Sequence, residues 1–190
     1  WVTTADSEMP DIPKAEDPVY HLKVGTTGVV QPFSYYEGTT LTGYDLEMIY
    51  RFAYWLNADV EISVYDYGGI IAAAESGDID CIMANLNATP ERREKLEFSE
   101  GYLRSQTAVM VKSEAGSARG YQSAEELSEP GTRLGILTGS VFDALTQEAF
   151  PEAELAYYNN IPDMAYSVTL DQLDAFMVDE PVARYMELEY

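Results

Sequence analysis

The sequence predicts an α/β protein of two small lobes, each built around a mostly parallel sheet. Predicted strands and helices alternate along the chain, which is typical of parallel βαβ units. The alternation occurs once before residue 105 and again after it, with one strand between the two runs. Of the 190 residues, 46% are hydrophobic and 23% are charged, so the chain can bury a real core. The expected organisation is an acidic leader or linker over 1–20, a first lobe over 21–102, a hinge crossing over 103–106 and a second lobe over 107–190.

The first lobe begins with residues of strand composition at 22–26, which end at a glycine-rich turn. The next apolar residues recur with the spacing of one helix face; they are Leu46, Ile49, Tyr50, Ala53 and Leu56. Alternation over 60–64 predicts a strand, and a short helix over 70–76 is expected to stop at Gly77.

An apolar run over 79–84, interrupted only by Asp80, predicts a buried strand. The helix after it has a clear start, because Thr89 is a favoured N-cap and Pro90 suits the first helical position. The strand that links the two lobes is expected over 106–112.

In the second lobe, Ser123 and Glu126 have the spacing of a capping box and predict a helix start. A strand over 134–137 leads to Gly139-Ser140, which is expected to open a helix. The predicted apolar face of that helix is Val141, Ala144, Leu145 and Ala149. The remaining elements are a strand over 154–158, a helix over 162–170 and a strand over 175–178.

Charge and composition exclude several classes of function. The formal net charge is −22, divided almost evenly between the two halves, and such a surface repels nucleic acid and anionic lipid headgroups. No apolar run approaches the roughly 20 residues of a membrane span. The single histidine, His21, and the single cysteine, Cys81, exclude a two-histidine zinc site and an intrachain disulfide. No phosphate loop, dinucleotide fingerprint or calcium loop is present, so we expect no cofactor, no metal and no catalytic residue.

Two charged residues follow predicted buried strands, one in each lobe. Arg92 lies in the first turn of the helix after 79–84, where its guanidinium and helix amides can meet a carboxylate. The alternative for Arg92 is a surface ion pair with Glu91 or Glu94. Asp179 follows the last strand, and its alternative is a helix N-cap. Because ligands of open α/β sheets gather at the carboxyl ends of strands, these opposite charges suit a zwitterion.

Several uncharged residues also lie after predicted strands or in predicted loops, where they could contact a ligand. Gly139 and Ser140 can offer backbone amides and a hydroxyl to an anion, or Ser140 can cap its helix with Asp143 as partner. Tyr67 lies beside two glycines, where an aromatic ring can form a pocket wall, although core packing is the alternative. Asn85 and Asn87 follow a buried strand and can donate amide hydrogens to a ligand or to their own loop.

Three blocks of sequence together resemble the amino-acid-binding family of bacterial extracytoplasmic solute-binding proteins, the receptors of ABC importers. The resemblance runs from about Leu22 to Tyr190. The blocks are Pro32-Phe33 with Leu41-Thr42-Gly43-Tyr44-Asp45-Leu46-Glu47, then Asp66-Tyr67-Gly68-Gly69 through Thr89-Pro90-Glu91-Arg92 to Phe98-Ser99, and Leu173-Asp174-Ala175-Phe176-Met177-Val178-Asp179-Glu180-Pro181-Val182-Ala183. The resemblance implies a two-lobe, periplasmic-binding-protein-like (Venus flytrap) architecture. It also implies a non-enzymatic protein outside the cytoplasm, in the periplasm or tethered to the cell surface, that binds a small amino acid in the cleft and delivers it to an ABC permease.

The resemblance also implies roles for individual residues. The family arginine that holds the ligand carboxylate corresponds to Arg92, and its ammonium-binding acid corresponds to Asp179. An acid that some binders of basic amino acids carry is replaced by Thr27, and a frequent pocket aromatic is replaced by Val30, so a neutral or polar ligand is expected. The expected ligand-binding residues are Arg92, Asp179, Asn87, Asn85, Ser140, Gly139, Tyr67 and Thr27.

Three further expectations concern the whole receptor. The family continues beyond the last matching block with a return strand and helices, so we expect this chain to bind more weakly than a longer one and to favour a dimer or a swapped assembly. A ligand-sensing domain of a membrane-bound signalling protein is one alternative function. A dehydratase of prephenate-like acids on the same fold is the other.

Overall fold

The computed structural model describes residues 12–113, 121 and 123–189, which divide between two compact units, Trp1–Leu96 and Glu97–Tyr190. The strands are β1 Tyr20–Thr26, β2 Val29–Val30, β3 Ser34–Glu37, β4 Thr40–Thr42, β5 Ala58–Val64, β6 Cys81–Ile82, β7 Thr107–Val111, β8 Arg133–Leu137, β9 Glu154–Tyr158 and β10 Ala175–Asp179. The α-helices are α1 Tyr44–Leu56, α2 Ile70–Glu75, α3 Pro90–Arg93, α4 Phe142–Ala149, α5 Ile161–Thr169 and α6 Glu180–Glu189. Our placement of the connection at 103–106 stays a prediction, and residues 1–11 of the expected leader lie outside the described residues.

The first unit has a parallel sheet in the order β5-β1-β6. Helix α1 packs its predicted face on this sheet, and Leu46, Ile49 and Ala53 are buried there as expected. Strand β6 is shorter than the apolar run 79–84, because only Cys81 and Ile82 pair with β1 before the chain turns away. The first unit therefore has the expected parallel core with one abbreviated strand.

A second, antiparallel sheet in the first unit was missing from the sequence-based prediction. It has the order β2-β3-β4, and each of its strands has two to four residues, too few to show a period. Gly43 ends this region with a φ of 123°, and a Cβ there would clash with the Phe33 carbonyl. The amide of Asp45 donates to that same carbonyl at 2.8 Å, so the start of α1 is held against the sheet.

The second unit has one mixed sheet in the order β7-β10-β8-β9. Strands β10, β8 and β9 are parallel, and β7 is antiparallel to β10. Its core cluster consists of Leu127, Leu134, Phe142, Phe150, Ala175 and Met177. The expectation of a mostly parallel sheet is met in this unit.

Two local predictions in the second unit were wrong. Residues 124–128 form a 3₁₀ helix, and the Ser123 side chain makes no capping hydrogen bond. Helix α4 begins at Phe142 and buries Phe142 and Thr146, whereas Leu145 is 39% exposed. The expected face failed because Thr146, although polar, is fully buried with its hydroxyl donating to the Met177 sulfur at 3.1 Å.

No helix within 12–113 and 123–189 is both long and apolar enough to cross a membrane.

Candidate functional site

In the first unit the candidate residues follow the carboxyl ends of the three parallel strands. Thr27 comes directly after β1, Tyr67 comes shortly after β5, and Asn85 and Asn87 come after β6. Because parallel strands end at a common edge, the fold gathers these residues at one edge of the sheet.

Arg92 is buried at this edge, with only 8% of its surface exposed. Its Nη1 donates to the Asn87 carbonyl at 2.8 Å, and its backbone amide donates to Thr89 Oγ1 at 3.2 Å. Such burial disagrees with the alternative of an exposed surface arginine. Helix α3 is a single turn, and the side chain of its N-cap residue Thr89 already accepts the amide of Arg92. This amide is therefore occupied, and the guanidinium remains the group with the geometry to meet a carboxylate.

Glu91, next to Arg92, is exposed and has a lowered pKa. The main causes are hydrogen bonds to its carboxylate from its own backbone amide and from the Thr89 hydroxyl, and the positive charge of Arg92 adds to them. These contacts favour the charged carboxylate of Glu91 in the first turn of α3.

The backbone of Asn85 is held on both sides. Its φ is 48°, in the left-handed region that asparagine tolerates better than most residues. Its amide donates to Asp45 Oδ2 at 2.7 Å, and its carbonyl accepts the Tyr67 hydroxyl at 3.3 Å. Tyr67 is itself buried, with 6% of its surface exposed.

Asp45 is a residue of this site that the sequence-based reasoning missed. It lies in the first turn of α1 and is fully buried. The signal was available, because Asp45 precedes the apolar Ile49 by four residues and so lies on the buried face of the helix. A charged residue on such a face needs a hydrogen-bonding partner.

Thr27 contributes a buried hydroxyl. The residue is 2% exposed, and its Oγ1 has no hydrogen-bond partner among the described residues. The neighbouring Thr26 differs, because its Oγ1 donates to Ser34 Oγ at 2.7 Å. Thr27 therefore has an unused hydrogen-bonding group at the sheet edge.

In the second unit, Gly139 and Ser140 follow the carboxyl end of β8, and Asp179 ends the neighbouring parallel strand β10. Gly139 is exposed and has a φ of 79°, which turns the chain after β8. Asp179 is the half-buried last residue of β10, and α6 begins at the residue after it.

The capping role considered for Ser140 is wrong. The N-cap position of α4 is occupied by Val141, whose side chain makes no capping hydrogen bond. Asp143, the expected partner of Ser140, instead accepts the Tyr157 hydroxyl at 3.1 Å. The Ser140 hydroxyl is buried and has no hydrogen-bond partner among the described residues. Ser140 is therefore, after Thr27, a second predicted ligand-binding residue with an unused hydroxyl.

Metal ligands do not cluster in the part of the chain that the structure describes. The thiol of Cys81 is partly buried, and burial raises its pKa, to which the nearby Asp80 charge adds. A thiol with a raised pKa carries little thiolate and is a poor nucleophile.

Comparison with known proteins places these features in a family. The family model of bacterial extracellular solute-binding proteins, family 3, matches residues 22–177. The arginine-binding extracellular protein ArtP of Bacillus subtilis (strain 168) is 27% identical over 164 residues, 85% of this chain and 62% of that protein. The chain thus spans about three fifths of the length of this curated relative.

Solved structures give the same result for the fold. The ancestral amino acid-binding protein AncCDT-1, a precursor of cyclohexadienyl dehydratase, has a TM-score of 0.84 and is 29% identical, with 89% of this chain and 74% of that chain covered. An ancestral arginine-binding protein bound to glutamine has a TM-score of 0.81 and is 26% identical, with 89% and 73% covered. The expected two-lobe, periplasmic-binding-protein-like fold is confirmed. With its parallel sheets, its buried arginine and its family match over residues 22–177, the chain belongs to the bacterial extracellular solute-binding proteins of family 3.

Proposed function

We propose that this protein binds a small amino acid outside the cytoplasm and delivers it to the permease of an ABC importer. The observation that carries the proposal is the buried Arg92, held by the Asn87 carbonyl at the same sheet edge as the unused Thr27 hydroxyl. A buried guanidinium is well suited to a carboxylate, which it binds through paired hydrogen bonds. Family membership supports the extracytoplasmic location.

In this proposal two residues of opposite charge hold the ligand. Arg92 binds the α-carboxylate, and Asp179 binds the α-ammonium. Ser140 donates a hydrogen bond to the carboxylate, with the Gly139 turn presenting it. Charge complementarity supports this division, because an amino acid carries both charges at neutral pH.

The side chain of the ligand is proposed to be neutral or polar. Thr27, Tyr67, Asn85 and Asn87 offer hydroxyl, aromatic and amide groups, and none of these four carries a charge. The relatives leave the choice open, since ArtP is named for arginine and the ancestral arginine-binding protein is bound to glutamine. Glutamine and arginine are therefore the two ligands that discriminate best.

The test is calorimetric titration of the protein with L-glutamine and L-arginine, with D-glutamine as the matched control. We expect saturable binding of L-glutamine, weaker binding of L-arginine and none of D-glutamine. A ligand at 100 times its dissociation constant should also stabilise the fold by about 2.7 kcal/mol. A clear preference for L-arginine would overturn the proposed side-chain specificity.

Binding of neither amino acid, in titrations and in a thermal-shift screen of the common amino acids, would contradict the proposal as a whole. The likeness to AncCDT-1 makes a dehydratase the alternative to exclude. Incubation with a prephenate-like acid, followed by proton NMR, tests it directly. Conversion by the protein would favour the enzyme over the binding protein.

A further inference from the structure

We propose that Asp45 is a positioning residue of the amino-acid site, which it serves without touching the ligand. This inference deepens the proposed function and rests on it. The Asp45 carboxylate is fully buried and accepts the backbone amide of Asn85 at 2.7 Å. A carboxyl oxygen that accepts a backbone amide at this distance makes a short hydrogen bond, so this contact is suited to fixing a loop.

Asn85 is the point at which a fixed contact matters most. Its φ of 48° lies in a region that costs free energy for any residue other than glycine. A strained conformation persists only where its surroundings hold it. The Asp45 carboxylate holds the amide side of Asn85, and the Tyr67 hydroxyl holds the carbonyl side at 3.3 Å.

The loop that Asn85 starts leads directly to the proposed ligand groups. Two residues later, the Asn87 carbonyl accepts both Nη1 of Arg92 at 2.8 Å and the amide of Thr89 at 3.1 Å. Thr89 Oγ1 in turn accepts the amide of Arg92. A shift of the backbone at Asn85 is therefore transmitted to the carbonyl that orients the Arg92 guanidinium.

Asp45 is itself on a rigid support. Its amide donates to the Phe33 carbonyl at 2.8 Å, and the amide of Tyr44 donates to the Pro32 carbonyl at 3.0 Å. A functional group performs best when a regular element and its own hydrogen bonds fix its position. Helix α1 thus sets the position of the loop through one carboxylate.

The experiment compares Asp45→Ala, Asp45→Asn and the control Asp80→Ala. Asp80 is a fair control because its carboxylate also accepts a backbone amide of the first unit, that of Lys23, at 2.8 Å. The readouts are calorimetric affinity for L-glutamine, and hydrogen exchange of the assigned Asn85 and Asn87 amides by NMR without ligand. Thermal melting reports the stability of each variant.

We expect Asp45→Ala to weaken L-glutamine binding by about 10- to 100-fold, the loss associated with one hydrogen bond to a charged group. Asp45→Asn retains an oxygen acceptor in an uncharged amide, so its affinity should lie between those of Asp45→Ala and the wild type. Asp80→Ala should stay within about twofold of the wild type, because it lowers only stability. Exchange at Asn85 should accelerate in Asp45→Ala and not in Asp80→Ala.

Unchanged affinity in Asp45→Ala, with a loss of melting temperature alone, would reduce Asp45 to a structural residue and overturn the inference. If Asp45→Ala does not fold, Asp45→Asn decides. It must then show weaker binding or faster Asn85 exchange than the wild type, and wild-type values for both would overturn the inference. If the wild type binds no amino acid, the proposed function fails, and Asn85 exchange still shows whether Asp45 fixes the loop.

Discussion

Arg92 and Asp179 have opposite charges and lie in different units, Arg92 in the helix after β6 and Asp179 at the end of β10. Removing one member of a buried charged contact costs about 2 to 5 kcal/mol, so Arg92→Ala should weaken ligand binding by roughly 30-fold to several thousand-fold. Asp179→Ala should act in the same direction. Calorimetry with L-glutamine measures both.

The matched control for Arg92→Ala is Arg93→Ala, which removes an exposed arginine from the same helical turn. It should leave the dissociation constant within about twofold, because exposed charges contribute little. Dissociation constants within threefold for both Arg92→Ala and Asp179→Ala would show that these residues do not hold the ligand.

The unused hydroxyl of Thr27 allows ligand binding to be separated from stability. Replacing a buried unpartnered polar group by an apolar one of similar shape is nearly neutral or stabilising. Thr27→Val should therefore leave the melting temperature unchanged or slightly raised while weakening L-glutamine binding. Thr26→Val is the control, because Thr26 donates to Ser34 and its loss should destabilise the fold by about 1 to 3 kcal/mol. Equal affinity in Thr27→Val would remove Thr27 from the site.

His21 lies between two carboxylates on the first sheet, with Nδ1 2.9 Å from Asp59 and Nε2 3.2 Å from Glu61. The hydrogen bond to Asp59, and then that to Glu61, raise the pKa of His21 above 6.5. A raised pKa stabilises the fold below 6.5, and this contribution is lost as the pH rises through the raised value. The difference in melting temperature between the wild type and His21→Asn should therefore decrease as the pH rises from 6.5 through the raised pKa of His21.

The charge change of His21 can be followed directly, because the chain has one histidine and so gives one set of imidazole NMR signals. A titration midpoint at or below 6.5 would contradict the prediction. Asp59→Asn is the control that should lower the midpoint, since it removes the largest cause of the shift.

Helix α4 shows where pattern reasoning succeeds and where it fails. The strand that follows it, β9, was predicted with its observed bounds, because its apolar composition and flanking turns are clear. The buried face of α4 was predicted wrongly, because the polar Thr146 is buried in the core, where its hydroxyl donates a hydrogen bond to the Met177 sulfur. Likewise, the roles of Arg92 and Asp179 could be suggested from their places after strands, whereas the left-handed Asn85 and its bond to Asp45 depend on contacts between distant residues.

The observed face of α4 predicts which substitutions matter. Phe142 is 7% exposed, and Phe142→Ala should lower the free energy of unfolding by about 3 to 5 kcal/mol. Leu145→Ala removes a side chain from a position that is 39% exposed and should cost about 1 kcal/mol or less. Denaturant unfolding of the two variants is the measurement. A larger loss of stability in Leu145→Ala than in Phe142→Ala would mean that the helix buries the face expected from the sequence.

The net charge of −22 acts on the molecule as a whole. Like charges repel each other more strongly in a compact state, and salt shortens the range of this repulsion from about 30 Å at 0.01 M to about 8 Å at 0.15 M. The melting temperature should therefore rise between these two NaCl concentrations, and equally in KCl. A flat or falling curve in both salts would mean that attractive ion pairs outweigh the repulsion.

The strand order β7-β10-β8-β9 also has a consequence for how the chain folds during synthesis. The described strands of the first unit's parallel sheet have all been made once β6 has emerged, so they can pair before the second unit exists. In the second unit β7 pairs Thr107 with Asp179 and must wait for nearly the whole unit to be made. Contacts between residues so far apart in sequence form slowly, and the waiting strand exposes an apolar edge meanwhile. The second unit is therefore the part of the chain that most needs protection from aggregation as it leaves the ribosome.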